Sequence, residues 1–213
     1  MLSVLVTNTK GGCGKTTLAT NLAAAFANAG HATVIADCDR QRSSLAWAAR
    51  RPIDDPPVTA VDWSRKIADP AAGTTRLVID APAAMRRGQV EELVRLADLI
   101  VLPVLPSFFD EGATRKFIAT LDKMKPVRKG KRAVAVVGNR IKPRTRSAAG
   151  LEHFLNGIGH HTVALLRDTQ MYPAVAAQGR SLFDLRGLRA RGFLADWLPL
   201  LTYLDETTSK MEQ

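Results

Sequence analysis

The sequence predicts a single α/β domain with a mostly parallel, twisted sheet flanked by helices on both faces. Apolar runs and helical patterns alternate along the chain, the order left by strands that run the same way and return through helices. At 213 residues the length suits one large α/β domain, spanning 1–213. No internal repeat, low-complexity tract or domain-sized linker divides it.

Residues 2–7 read as the first strand and 16–29 as an alanine-rich helix closed by Gly30. Residues 32–36 give a second strand, followed by a helix over 44–50; the prolines from Pro52 to Pro57 then mark a surface loop. Third and fourth strands fall at 76–79 and 99–103, a helix at 111–124 and a fifth strand at 133–137. A helix near 147–156 leads to a strand at 162–165. Residues 168–177 and 188–201 read as helices, the second interrupted or ended near Pro199, because proline lacks the N–H a helix interior uses.

Hydrophobic residues at 46% and charged residues at 23% are those of a soluble globular protein. The two cysteines, Cys13 and Cys38, have no metal-ligand spacing and fit a reducing compartment. The first apolar run is too short for a secretory signal, and no stretch reaches the roughly 18 apolar residues that span a bilayer. The formal net charge is +10, unevenly placed: residues 1–110 hold twelve basic and eleven acidic side chains, residues 111–213 eighteen and nine. Twelve of the basic residues lie between Arg115 and Arg146, with Asp122 the one acid among them. Basic surface attracts polyanions, and this concentration points to nucleic acid.

Residues 9–17 read Thr-Lys-Gly-Gly-Cys-Gly-Lys-Thr-Thr, directly after a strand and directly before a helix. Gly11, Gly12 and Gly14 admit backbone angles closed to other residues, so successive N–H groups converge on a phosphate. The following helix adds its positive N-terminal end. Lys15 reaches the β- and γ-phosphates, and the Thr16 hydroxyl is placed to ligate Mg²⁺. Cys13 fills the variable position, where small size is what is needed, and Thr17 closes the run. This is the phosphate loop of a P-loop NTPase.

Lys10, ahead of the glycines, is unusual for P-loop proteins in general. Residues 10–16 match throughout the Lys-Gly-Gly-x-Gly-Lys-Thr loop of the ParA/MinD family of deviant Walker ATPases, and the chain resembles that family over nearly its whole length. It is most like the short members that partition plasmids or chromosomes or position carboxysomes. The resemblance implies an ATP-state homodimer in which Lys10 reaches the partner's phosphates and supplies positive charge where negative charge builds up.

Residues 34–39, Val-Ile-Ala-Asp-Cys-Asp, place two acids at the end of the second strand, and Gln41 follows as in the family's second acidic motif. The resemblance implies that Asp37 orients or activates the attacking water, with Asp39 nearby in the Mg²⁺ shell or in loop support. Asp39 reads equally well as the cap of the next helix. Residues 77–82, Leu-Val-Ile-Asp-Ala-Pro, form an apolar strand ending in Asp80, suited to hold Mg²⁺ directly or through water. Asn139 offers a donor and an acceptor to an adenine edge, and no Asn-Lys-x-Asp guanine motif occurs, so ATP is expected rather than GTP.

Arg140, Lys142, Arg144 and Arg146, with Arg186, Arg189 and Arg191, are candidate phosphate contacts for double-stranded DNA. No base-reading motif accompanies them, so DNA binding is expected to be non-specific and salt-dependent. The resemblance further implies a cytoplasmic, nucleoid-associated cycle in which a ParB-like or cargo-adaptor protein stimulates slow ATP hydrolysis. A membrane-cycling MinD-like regulator is the alternative. It calls for a basic amphipathic C-terminal helix, whereas residues 204–213 carry three acids and one lysine, so no stable membrane association is expected.

Overall fold

Leu2, Val4 and Val6 turn to one side of strand β1 (Leu2–Val6) and Leu5 to the other, and all four are buried. A strand buried on both faces needs cover on each side. A computed structural model supplies the arrangement; it describes residues 1–211, with the side chains of 108–110, 152, 188–189 and 210–211 outside the description. In chain order β1 is followed by α1 (Lys15–Asn28), β2 (Thr33–Asp37), α2 (Ser43–Ala48), β3 (Val58–Asp62), β4 (Arg76–Asp80) and α3 (Arg87–Leu96). Then come β5 (Leu99–Val104), α4 (Phe108–Asp122), α5 (Lys125–Arg128), β6 (Ala133–Ile141), α6 (Arg146–Asn156), β7 (His161–Arg167), α7 (Met171–Ala176) and α8 (Leu188–Met211).

The strands form one sheet in the order β3-β2-β4-β1-β5-β6-β7, every pair parallel. On one face α1, α2 and α8 bury Leu18, Leu22, Trp47, Trp197 and Leu200 against Val4, Val6 and Val101. On the other, α3, α4 and α6 bury Leu93, Leu121 and Leu151 against Leu5, Ile79 and Ile100. In an open sheet of this kind ligands bind beyond the carboxyl ends of the strands. Here the register sets Asp80 beside both Val6 and Asp37, so the two acids stand next to each other on one side of the exit of β1.

Three expectations change. β3, α3 and the short α5 lie where no element was expected, β3 as an edge strand with only Val58 buried. β6 runs on to Ile141, which puts Asn139 inside the strand rather than after its end. α8 continues through Pro199, because Trp197, Leu200 and Leu204 on its inner face are fully buried while Pro199 faces outward. Burial of that stripe outweighs the hydrogen bond that proline removes. No helix among the described residues is long and apolar enough to cross a membrane.

Candidate nucleotide site

The phosphate loop leaves β1 through Asn8, a buried residue the sequence reading passed over. Its side-chain amide donates to the Pro103 carbonyl at 2.8 Å, and its carbonyl oxygen accepts from Lys10 N at 3.2 Å. Gly12 and Gly14 then take φ of 73° and 97°, left-handed angles that open the turn into α1. The first turn of α1 has no side-chain cap and no acid, so its N–H groups face the loop without a built-in anion. Lys15 is 7% exposed, and its ammonium donates to the Lys10 carbonyl at 3.1 Å. The Cys13 thiol donates to the same carbonyl at 3.2 Å, so its role is to brace the loop.

Asp37 is buried and accepts from three backbone N–H groups. One oxygen accepts from Asp39 N at 2.9 Å; the other accepts from Ser44 N at 2.9 Å and Leu45 N at 3.1 Å, which caps α2 from outside the helix. Asp39 is less buried and accepts from Gln41 N at 3.0 Å. The cap is therefore Asp37, not Asp39.

Asp80 differs from both. It is 1% exposed, and neither carboxylate oxygen has a hydrogen-bond partner. Burial pushes its carboxyl up to about 7; the Asp37 charge adds to this, while the nearby Thr16 and Ser44 hydroxyls and Lys15 act against it. Those hydroxyls stand short of hydrogen-bond geometry, and Ser44 Oγ is itself unpartnered. A buried, unpartnered carboxylate beside Thr16 is costly without a cation and is the donor set Mg²⁺ takes, so the residues fit that ion.

Asn139 lies against the loop. Its amide donates to the Cys13 carbonyl at 2.8 Å, and its oxygen accepts from Arg140 N at 2.9 Å. Both ends of the side chain thus serve the backbone, each with one further hydrogen-bonding position. Beside it a cavity of about 390 Å³ is lined by Thr17, Asn139, Arg140, Asp168, Tyr172 and Pro173. Asp168, Tyr172 and Pro173 had no signal in the sequence beyond a helical pattern.

Arg140 lies near the carboxyl end of β6, Lys142 and Arg144 follow it and Arg146 opens α6; all four are exposed, as are Arg186 and Arg191, and the side chain of Arg189 lies outside the description. Lys142 pairs with Asp168 at 3.6 Å, and Arg140 faces the cavity. These side chains stand at the nucleotide end of the sheet and do not gather into one patch with Arg186 and Arg191 by any contact among the described residues.

A family model described as the CobQ/CobB/MinD/ParA nucleotide binding domain matches residues 4–182. The chain is 30% identical over 212 residues to the maintenance of carboxysome distribution protein A of Gloeobacter kilaueensis, covering 97% of this chain and 95% of that one. It is 27% identical over 198 residues to the protein of the same name from Halothiobacillus neapolitanus, covering 89% of each. In fold it is similar to a solved ATP complex of a Cyanothece McdA variant, with a TM-score of 0.73, 13% identity, and 98% and 96% of the two chains covered.

Proposed function

The chain belongs to the CobQ/CobB/MinD/ParA nucleotide-binding family, and from that premise we propose that it is a positioning ATPase: it dimerises on ATP, binds duplex DNA without sequence preference, and distributes a cargo. The carboxysome-distribution relatives make a protein organelle the first candidate cargo; a plasmid or chromosome origin is the other kind. A partner protein on that cargo stimulates a slow intrinsic hydrolysis, and the protein works in the cytoplasm on the nucleoid.

The observation that carries the reading is an uncapped α1 N-terminus facing two left-handed glycines, with an unpartnered buried carboxylate alongside. Backbone N–H groups of Gly11, Gly12, Cys13 and Gly14 and the head of α1 hold the phosphates. Lys15 leaves the Lys10 carbonyl for the β- and γ-phosphates. Thr16 and Asp80 would hold Mg²⁺, which would supply positive charge to the phosphates. Lys10 serves the partner's nucleotide. The nucleoside occupies the cavity beside Thr17 and Asn139, with Asn139 keeping the loop in shape.

The hydrogen bonds favour a change in the two acids' roles. Asp37 already accepts from three backbone N–H groups, two of them at the head of α2, whereas Asp39 accepts from one and keeps an oxygen outside any hydrogen bond. We assign water orientation to Asp39, within reach of the Mg²⁺ shell, and structural support to Asp37.

The test is ATP binding and turnover with Mg²⁺ for the parent and Lys15→Ala, together with retention of random duplex at low salt with and without ATP. Loss of nucleotide binding in Lys15→Ala and ATP-enhanced retention of duplex by the parent are expected. Parental turnover in Lys15→Ala would overturn the site. Binding to anionic vesicles in place of duplex would overturn the DNA reading in favour of a membrane cycle.

A further inference from the structure

The densest uncompensated charge lies at the other end of the sheet from the nucleotide site. Residues 123–132 carry six lysines and arginines and no acid. They are held in a tight knot: Arg128 N donates to the Met124 carbonyl at 2.9 Å and Lys129 N to the Lys125 carbonyl at 3.1 Å. Lys131 N and Arg132 N both donate to the Pro126 carbonyl, at 2.9 and 3.2 Å, around Gly130 at φ 67°. Met124 beneath is 5% exposed and anchors the knot to the core. Arg132 ties it to α3, donating to the Arg95 carbonyl at 3.4 Å and lying 3.9 Å from Asp98. A groove of about 290 Å³ runs between Arg87 and Arg95 on one side and Lys123 and Lys125 on the other.

The local acids do not balance this. Glu91 is shared by Arg87 and Arg95, and Asp98 faces Arg132. Among the described residues Lys123, Lys125, Arg128, Lys129 and Lys131 are exposed and enter no ion pair. Like charges crowded within a Debye length of roughly 10 Å repel one another and disfavour the folded turn. A hydrogen-bonded turn that displays them regardless is preorganised for an external anion.

We propose that this face, formed by the end of α3, α5 and the lead into β6, is a contact surface for the phosphate backbone of duplex DNA, used by each protomer with or without nucleotide. The proposal rests on the DNA-binding reading above and relocates its principal contact from 140–146 to 123–132. The end of α3 and the start of β6 lie at the amino ends of the parallel strands, whereas the phosphate loop, Asp37 and Asp80 lie at the carboxyl ends. Nucleotide therefore leaves the face itself unchanged. Dimerisation adds a second copy of it and raises affinity by avidity. Phosphate backbone suits the face better than lipid: Leu96, at 41%, is the one large apolar side chain on these segments with substantial exposure, too little to enter a bilayer interface.

The experiment compares the parent, a triple variant Lys125→Gln/Arg128→Gln/Lys129→Gln, and a triple variant Arg140→Gln/Lys142→Gln/Arg144→Gln. Binding to a fluorescent mixed-sequence duplex is titrated over a salt series, with and without ATP, beside anionic phosphatidylglycerol vesicles; ATP turnover and thermal melting confirm folding. The α5 triple should lose at least about tenfold in affinity in both nucleotide states, with the salt slope shallower by about three, near 0.9 per contact removed. Its turnover and melting should match the parent. A parent that binds duplex while the α5 triple keeps its affinity and slope overturns the face and leaves the DNA reading intact. A parent that does not bind duplex overturns both, and vesicle binding lost in the α5 triple would assign the face to lipid.

Discussion

The Asn139 side-chain amide donates to the Cys13 carbonyl at 2.8 Å across 126 residues of chain, fastening β6 to the phosphate loop. The fit is close: a Cβ on Gly14 would lie 2.2 Å from the Asn139 amide nitrogen. Asn139→Asp puts an acceptor against the Cys13 carbonyl and leaves both buried groups unsatisfied, at a cost of about 1–3 kcal/mol. We expect a loss of that order in urea unfolding and roughly tenfold weaker ATP binding by calorimetry. Unchanged affinity would mean the loop holds its shape without Asn139. Gly14→Ala should weaken ATP binding further, since it adds the clash to a φ of 97° that alanine disfavours.

How much of this was legible in the sequence follows from how local each interaction is. The β1–loop–α1 unit was readable because strand, glycines and Lys15 are contiguous and their chemistry is set within nine residues. The parallel sheet and the acids ending β2 and β4 were readable for the same reason. Asn139 was visible as a polar residue near a strand end, but its partner is 126 residues away, so its tie to the phosphate loop could not be read. Asp37 and Asp39 look alike as a pair; only the position of α2 decides which becomes the cap. Pro199 misled because the burial that carries α8 past it comes from β7 and the 182–184 turn.

Asp80 makes stability depend on pH when magnesium is absent. Burial above all pushes its carboxyl from 3.8 up to about 7. Between those values the folded protein holds a proton that the unfolded chain has released, so the contribution is fully present below pH 3.8 and is lost as pH rises to about 7. Melting in EDTA should therefore fall through that window, and Asp80→Asn should flatten the profile. Mg²⁺ competes with the same proton, so magnesium-dependent ATP affinity should climb toward pH 7 in the parent and drop roughly tenfold or more in Asp80→Asn. An Asp80→Asn profile that still falls would place the titrating group elsewhere.

Asp37 and Asp39 should separate stability from catalysis. Asp37→Ala uncaps α2 and should cost about 1–2 kcal/mol in unfolding. Asp39→Ala should leave the unfolding midpoint within error of the parent, bind ATP normally and slow turnover by roughly a hundredfold. Single-turnover hydrolysis beside denaturation of each variant decides the matter. If Asp39→Ala turns over at the parental rate, the water is held by another group.

Arg51 and Asp184 form a buried bidentate pair, at 2.9 and 2.7 Å, with side chains 4% and 0% exposed. Asp184 also accepts from Asn28 at 2.8 Å and from Ser181 N and Oγ at 2.7 and 2.9 Å, so it joins α1, the segment after α2 and the 182–184 turn. Burial alone would push its carboxyl up, but Arg51, Asn28 and Ser181 together hold it below the ordinary 3.8. The stability it contributes is present above that value and lost as pH falls through the lower, folded one. Asp184→Ala strands a buried guanidinium and should cost about 3–5 kcal/mol, whereas Arg51→Met/Asp184→Leu removes both charges and should cost far less. Urea unfolding at pH 7 measures each. A single variant no worse than the double would mean that water reaches Arg51 and that the pair does not clamp the segment after α2 to the turn.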